Sequence, residues 1–236
     1  MSRDRSDPRI SICKHAEYMV APPGRRRTIL RDQKFPAAFK ASSYREAYSA
    51  LADVLVNGKD GYLVDSYIED WRSRAPKSPF DAKSTALCID ALTGFQAILS
   101  SGALDKFSFA PGIQVAYLEL EGVALSVRPD TLITGSDVGA LKIYLSKTVP
   151  LTKDAAGRPG SASYAGAALH LWAETRFGGA PAARCVVLDV FAGAVHVAPA
   201  RYVQRREDLR ASCSEIAAVW PSITKPAGTP EEEMPF

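Results

Sequence analysis

The sequence predicts an α+β fold: N-terminal helices followed by an antiparallel β-meander, a helix, a β-hairpin and a C-terminal helix. Three observations lead there. Residues 114–147, QVAYLELEGVALSVRPDTLITGSDVGALKIYLSK, alternate through three runs rich in β-branched and aromatic residues, broken at Glu121-Gly122 and by the Gly135 to Gly139 loop. Links this short join neighbouring strands only as antiparallel pairs, because parallel neighbours need a crossover of a dozen or more residues. Upstream of residue 100, apolar residues recur every three or four positions, the period of a helix with one buried face. Downstream, SASYAGAALHLWAETRF reads as one helix and CVVLDVFAGAVHVAP as a hairpin, so the order is β-β-β-α-β with a further β arm.

In chain order, Asp7-Pro8 predicts a helix start, with Asp as N-cap and Pro at the first helical position, running to Val20. Pro22-Pro23-Gly24 breaks it, and RRRTILRDQ begins a second short helix. Residues 43–57 place Tyr44, Ala47, Tyr48, Leu51, Val54 and Leu55 at helical spacing, with Asn57-Gly58 as the stop. Leu63, Tyr67 and Trp71 mark the next helix, which Pro76 and Pro79 end, and residues 82–100 repeat the pattern through Leu92, Phe95 and Leu99. Gly102 to Gly112 reads as a connection. Ser161 or Ser163 can cap the helix after the meander, and Gly178-Gly179 closes it. The hairpin turns at Ala192-Gly193-Ala194, and residues 204–220 form a last amphipathic helix. The expected organisation is a helical region over 1–112, an α/β core over 113–224 and a disordered acidic tail over 225–236, within one compact domain.

At 236 residues and 47% hydrophobic composition, the chain can bury a sizeable core. A formal net charge of +3 is too small to imply a nucleic-acid partner and does not exclude one. Cys13, Cys88, Cys185 and Cys213 form no CxxC pair, which suits small buried hydrophobes in a reducing compartment rather than a zinc site or disulfide frame. No 18-residue apolar run and no signal-peptide pattern occur, so the expected location is cytoplasmic and away from membranes. His15, His170 and His196 share no metal-ligand spacing, and no G-x-S-x-G or nucleotide-binding glycine loop supports a hydrolase triad or a P-loop.

Chemistry concentrates in the meander. Arg128-Pro129-Asp130 sets a carboxylate beside a proline that is awkward inside a ladder, which predicts an edge strand or a bulge there. Glu119 and Glu121 share a face by two-residue alternation, and Lys142 and Lys147 lie in the third strand. Carboxylate oxygens with a lysine nearby are what a hard divalent cation needs to activate a water against a phosphodiester. Arg25, Arg26, Arg27 and Arg31 form the densest positive cluster, either a solvated helix face or a patch that contacts phosphates. For Asp130 the plain alternative is a turn cap or a salt bridge with Arg128, for Glu119 and Glu121 a solvated sheet face, and for His15 a satisfied surface position.

This pattern resembles the PD-(D/E)XK nuclease superfamily, particularly its RecB-like and lambda-exonuclease-like branches, over roughly residues 114 to 200. Pro129-Asp130 matches the acid of the second strand, Leu145-Ser146-Lys147 the (D/E)-x-K of the third, and Tyr164 the polar residue of the following helix. The resemblance implies Asp130, Glu119 and Glu121 as ligands of Mg²⁺ or Mn²⁺, and Lys147 as the residue that positions the attacking water. It also implies a DNA partner contacted by the four arginines, Lys142 and Tyr164, and a setting in phage defence, mobile elements or repair. One position departs from the family: Leu145 stands where the acid of (D/E)-x-K belongs. A ligand relocated to Glu174 would sit ten residues beyond Tyr164, about 15 Å along a helix, which favours Glu119 as the stand-in. Two readings follow from the resemblance, a metal-dependent nuclease and a catalytically inactive subunit that binds nucleic acid or protein partners within a larger complex. A third, independent of it, is a small-molecule enzyme or binding domain on an unrelated α+β scaffold, since fold does not fix function.

Overall fold

The structure, a computed structural model, describes residues 5–36, 44–145, 160–200 and 202–225. Helices and strands mix in an α+β fold. The chain opens with a three-residue strand, β1 (Arg9–Ser11), and not with a helix at Asp7. Pro8 lends its carbonyl to the amide of Ala124 at 2.9 Å, and Ser11 is the N-cap of α1 (Ile12–Val20), its side chain accepting from Lys14 N. Then come α2 (Pro23–Lys34), α3 (Arg45–Val56), α4 (Gly61–Ser73) and α5 (Pro79–Ser100). Asp60 caps α4 and Ser78 caps α5, each by a side-chain oxygen on a first-turn amide. The stop after α3 falls where expected: Gly58 takes φ 94° and the amide of Lys59 returns to Val54 O at 2.8 Å.

The meander is where expectation and structure part. Its middle run is two strands, β4 (Val123–Val127) and β5 (Thr131–Thr134), and they belong to different sheets. β4 lies between β1 and β3 (Ala116–Leu120) in a three-stranded sheet. β5 lies between β2 (Ser108–Pro111) and β6 (Gly139–Tyr144) in a five-stranded one, continued by β7 (Cys185–Asp189) and β8 (Ala194–Val197). Proline cannot donate to a ladder, and Pro129 sits where the chain passes from one sheet to the other, so β4 is central rather than an edge. The Glu121-Gly122 turn is as read, with φ of 48° and 74°, the left-handed pair a two-residue hairpin requires. β2 falls inside the stretch read as a connection: four part-exposed residues, SFAP, give too little alternation to announce a strand.

Helix α6 (Ser161–Phe177) carries the chain from β6 to β7, which pair in parallel as a helical crossover allows. Gly178 ends it in the left-handed conformation, while its N-cap is Gly160 rather than a serine. The hairpin β7–β8 turns at Gly193 as predicted, and α7 (Tyr202–Val219) follows. One core joins β1, α1, α2, the three-stranded sheet, α6 and α7 around Ile10, Leu125, Trp172, Ile216 and Trp220. A second joins α3, α4 and α5 to the five-stranded sheet around Leu51, Leu92, Phe95, Leu141 and Leu188. Both mix residues from before and after position 112, so no packing break separates a helical region from the α/β core. Of the acidic tail, residues 226–236 lie outside the described residues. No described helix is long and apolar enough to cross a membrane.

Candidate functional site

Asp130 stands at the entry to β5, and the antiparallel register that sets Thr131 opposite Leu141 brings it to the flank of β6. Its amide donates to Leu141 O at 2.9 Å. Its Oδ2 accepts from Lys142 Nζ and from the Ile143 amide, both at 2.7 Å. The pair is interior, with side chains 11% and 12% exposed, and the ammonium lies 5.5 Å from the ring centroid of Tyr48 on α3. Gly112 fixes the approach from the other side: a Cβ there would collide with the carbonyls of Pro129 and Asp130. The partner expected for a purely structural Asp130 was Arg128; the structure supplies Lys142 instead.

Beside this pair lies Cys13 of α1, whose thiol burial pushes up while the charges of Lys142, Asp130, Lys14 and Glu17 act on it. Tyr144 on β6 donates its hydroxyl to Cys13 O at 3.2 Å. Burial, then the neighbouring Cys13, raises the pKa of both Tyr144 and Tyr48, so both phenols stay protonated. Glu17, one turn along α1, is nearly inaccessible and is held by Lys14 and by Arg25, whose Nη2 and Nε reach Oε1 at 2.6 and 3.1 Å. Burial pulls the pKa of Glu17 up, but the hydrogen bonds from Lys14 and Arg25 and their charges outweigh it and hold the carboxyl below its ordinary range. Sequence reasoning missed Glu17. Its only signal is a lone acid among His15, Ala16, Tyr18 and Met19, three residues after a lysine.

Glu119 and Glu121 do not join Asp130. Glu119 faces outward on β3 beside Arg9 and Tyr117, and its β4 partner Ala124 is six residues before Asp130, about 20 Å of extended chain. Glu121 is exposed in the hairpin turn. Glu174 is engaged by Arg206 at 2.6 Å and by His170 at 3.3 Å. His15 is neither at the surface nor turned to Asp130; it is fully buried, with Nε2 2.8 Å from Ser212 Oγ on α7. Asp189 ends β7, an interior strand, and its Oδ1 accepts from Ala192 N at 3.0 Å, which explains this acid in an apolar strand without a role in the site.

The basic cluster of α2 divides. Arg25 serves Glu17 while its side chain remains 49% exposed. Arg26 donates to Ala21 O and Met19 O at 3.0 and 3.2 Å and lies 5.1 Å from the Tyr18 ring centroid. Arg27 is exposed, and Arg31 is half-buried with no partner for its Nε among the described residues. Tyr164 on α6 is half-buried, with Arg205 of α7 5.4 Å over its ring and Arg26 among the charges it feels. Lys142, expected to contact phosphate, is turned inward to Asp130. Lys147 lies outside the described residues, as does Ser146.

A hard divalent cation needs several oxygens at once. At Asp130 the described residues bring a lysine and a backbone amide to one carboxylate oxygen, and Leu145, in the acid position of (D/E)-x-K, is packed into the second core. No three His, Cys, Asp or Glu among the described residues are grouped to hold a metal ion. The described set does not fit Mg²⁺ or Mn²⁺. What the region offers is a set of four cations, Lys14, Arg25, Arg26 and Arg205, from α1, α2 and α7, of which Lys14 and Arg25 pair with Glu17 and Arg205 with Asp208, while Arg26 is held by backbone carbonyls. Comparison with protein-family models, with curated proteins and with solved structures finds no match to this chain.

Proposed function

We propose that this chain is a nucleic-acid-binding protein of nuclease-like architecture that contacts the phosphate backbone and performs no hydrolysis at Asp130. The observation that carries the reading is the convergence of Lys14, Arg25, Arg26 and Arg205 around Glu17, Tyr18 and Tyr164, from sequence positions nearly two hundred residues apart. Arg26 is held by carbonyls and the Tyr18 ring, Arg25 by Glu17, and Arg205 by Asp208 and the Tyr164 ring, so each guanidinium is pre-positioned and keeps donors for phosphate oxygens at reduced entropic cost. Contacts of this kind are independent of base sequence and release counterions, so affinity falls steeply with salt. The resemblance of the sequence over residues 114 to 200 to PD-(D/E)XK nucleases supports the class of partner, and the two donors on Asp130 Oδ2 together with Leu145 in the acid position support the absence of hydrolysis.

The test is binding to labelled single- and double-stranded DNA across a salt series, alongside incubation of linear and circular DNA with Mg²⁺ or Mn²⁺. Expected are intact DNA and an affinity that drops with salt. Replacing Arg25 or Arg205 by Gln should weaken binding and flatten the slope by about one counterion each. Cleavage lost in Asp130→Ala and Lys147→Ala would overturn the non-hydrolytic half and establish a nuclease. Salt-insensitive or undetectable DNA binding would overturn the reading as a whole and leave a protein-interaction subunit.

A further inference from the structure

We propose that Lys142 is the chain's own counter-ion at Asp130, standing where a nuclease-like centre would place a divalent cation, so that the site is complete without metal. The inference rests on the nuclease-like reading for the meaning of Asp130, and on geometry for the rest. A metal ligand must present free lone pairs towards a space that other oxygens also face. Oδ2 of Asp130 spends its lone pairs on Lys142 Nζ and Ile143 N, both at 2.7 Å, distances of charge-assisted hydrogen bonds, and Asp130 belongs to no group of three His, Cys, Asp or Glu among the described residues that could complete a metal site through Oδ1. The ammonium cannot swing away at low cost, because its stem runs through an interior position and its head lies over the Tyr48 ring. The other nearby carboxylate, Glu17, is closed in the same manner by Lys14 and Arg25. Two carboxylates in the region therefore meet three cations of the chain, and Leu145 adds no oxygen.

Register explains how this arises. Lys142 is three residues before Leu145 in β6, and the β5–β6 pairing sets it beside Asp130 across the ladder. Lysine here fills with a fixed covalent charge the place that in a metal site belongs to a diffusible one.

Manganese titration of the purified protein, read by electron paramagnetic resonance and by thermal shift, tests this without reference to DNA. The wild-type protein should show no Mn²⁺ binding that Asp130→Asn removes, and its melting temperature should be equal in EDTA and in Mn²⁺. Lys142→Met should melt lower in EDTA and recover several degrees in Mn²⁺, a recovery that Asp130→Asn cancels. Asp130-dependent Mn²⁺ binding by the wild type would overturn the proposal, as would a folded Lys142→Met with no response to Mn²⁺. If Lys142→Met does not fold, the wild-type titration against Asp130→Asn decides alone. DNA binding that persists while this proposal fails, or fails while it holds, separates it from the functional reading above.

Discussion

Two sets of ion pairs in this molecule use the same chemistry in opposite surroundings. Asp130 and Lys142 meet at 2.7 Å with about a tenth of each side chain exposed. Arg74, at the end of α4, holds Glu46 of α3 at 2.8 Å and Asp70 one turn back, with all three side chains roughly half exposed or more. Water already solvates the second set, so joining its charges changes little. Little water solvates the first, so each charge relies on the other, and on the Ile143 amide, to offset its lost hydration. The difference teaches that the Asp130 pair is a structural commitment of the interior, whereas the Arg74 cluster decorates the groove between α3 and α4.

Breaking the interior pair on one side should give the largest effect. Lys142→Met leaves Asp130 with an uncompensated charge, and removing one partner of a buried pair costs about 3 to 5 kcal/mol. Urea denaturation of the variant against wild type checks this. A loss below about 1 kcal/mol, the range of exposed pairs, would place Asp130–Lys142 in the same class as Arg74.

A buried polar group with no counter-charge provides a third case and the next effect in size. Ser212 Oγ donates to Leu209 O, so His15 Nε2–H donates to Ser212 Oγ, and Nδ1 is left bare with no partner among the described residues. Burial lowers the pKa of His15 to about 4. The unfolded chain takes up a proton near the ordinary 6.5 that the folded chain refuses, so stability is full above pH 6.5 and falls between 6.5 and 4. The lowering corresponds to about 3 kcal/mol over that window. His15→Gln should flatten that part of a stability-versus-pH profile; an unchanged slope would mean that other groups carry it.

These cases also show what the sequence could and could not reveal. Helical periodicity located α3 to α7, the Pro22-Pro23-Gly24 break located the end of α1 at Val20 and the start of α2, and left-handed glycines at Gly58, Gly122, Gly178 and Gly193 marked real turns, because these signals depend on local conformation alone. The split of the middle strand at Pro129 was legible as an irregularity and not as a change of sheet, since sheet membership is decided by partners far away in the chain. Asp130 could be singled out as a candidate. Its partner could not, because an antiparallel register slipped by one residue would turn Lys142 to the other face. Glu17 and the set of Lys14, Arg25, Arg26 and Arg205 come together only through the packing of α1, α2, α6 and α7. Glu119 is exposed on β3, whereas Glu121 has left the strand for the hairpin turn, so alternation does not govern the two together, and their sheet is not the one Asp130 enters.

The double variant Asp130→Asn with Lys142→Met sharpens the comparison further. Asn retains an acceptor for the Ile143 amide, and no charge is left unpaired, so the loss should fall to about 1 to 2 kcal/mol, smaller than for Lys142→Met alone. The resulting coupling in a double-mutant cycle is the quantity that distinguishes mutual dependence from two separate contributions. Additive losses would mean that the side chains meet without depending on each other.

At the exposed end of the scale, Arg74→Ala should cost less than about 1 kcal/mol, and the difference from wild type should shrink further in high salt. Screening is the discriminating feature. Ions reach Arg74, Glu46 and Asp70 freely and replace what the substitution removes, whereas they cannot enter beside Asp130. Stability of Lys142→Met relative to wild type should therefore hold nearly constant across the same salt series. Parallel salt dependence for the two variants would show that water and ions reach both clusters alike, and the interior character assigned to Asp130 and Lys142 would fail with it.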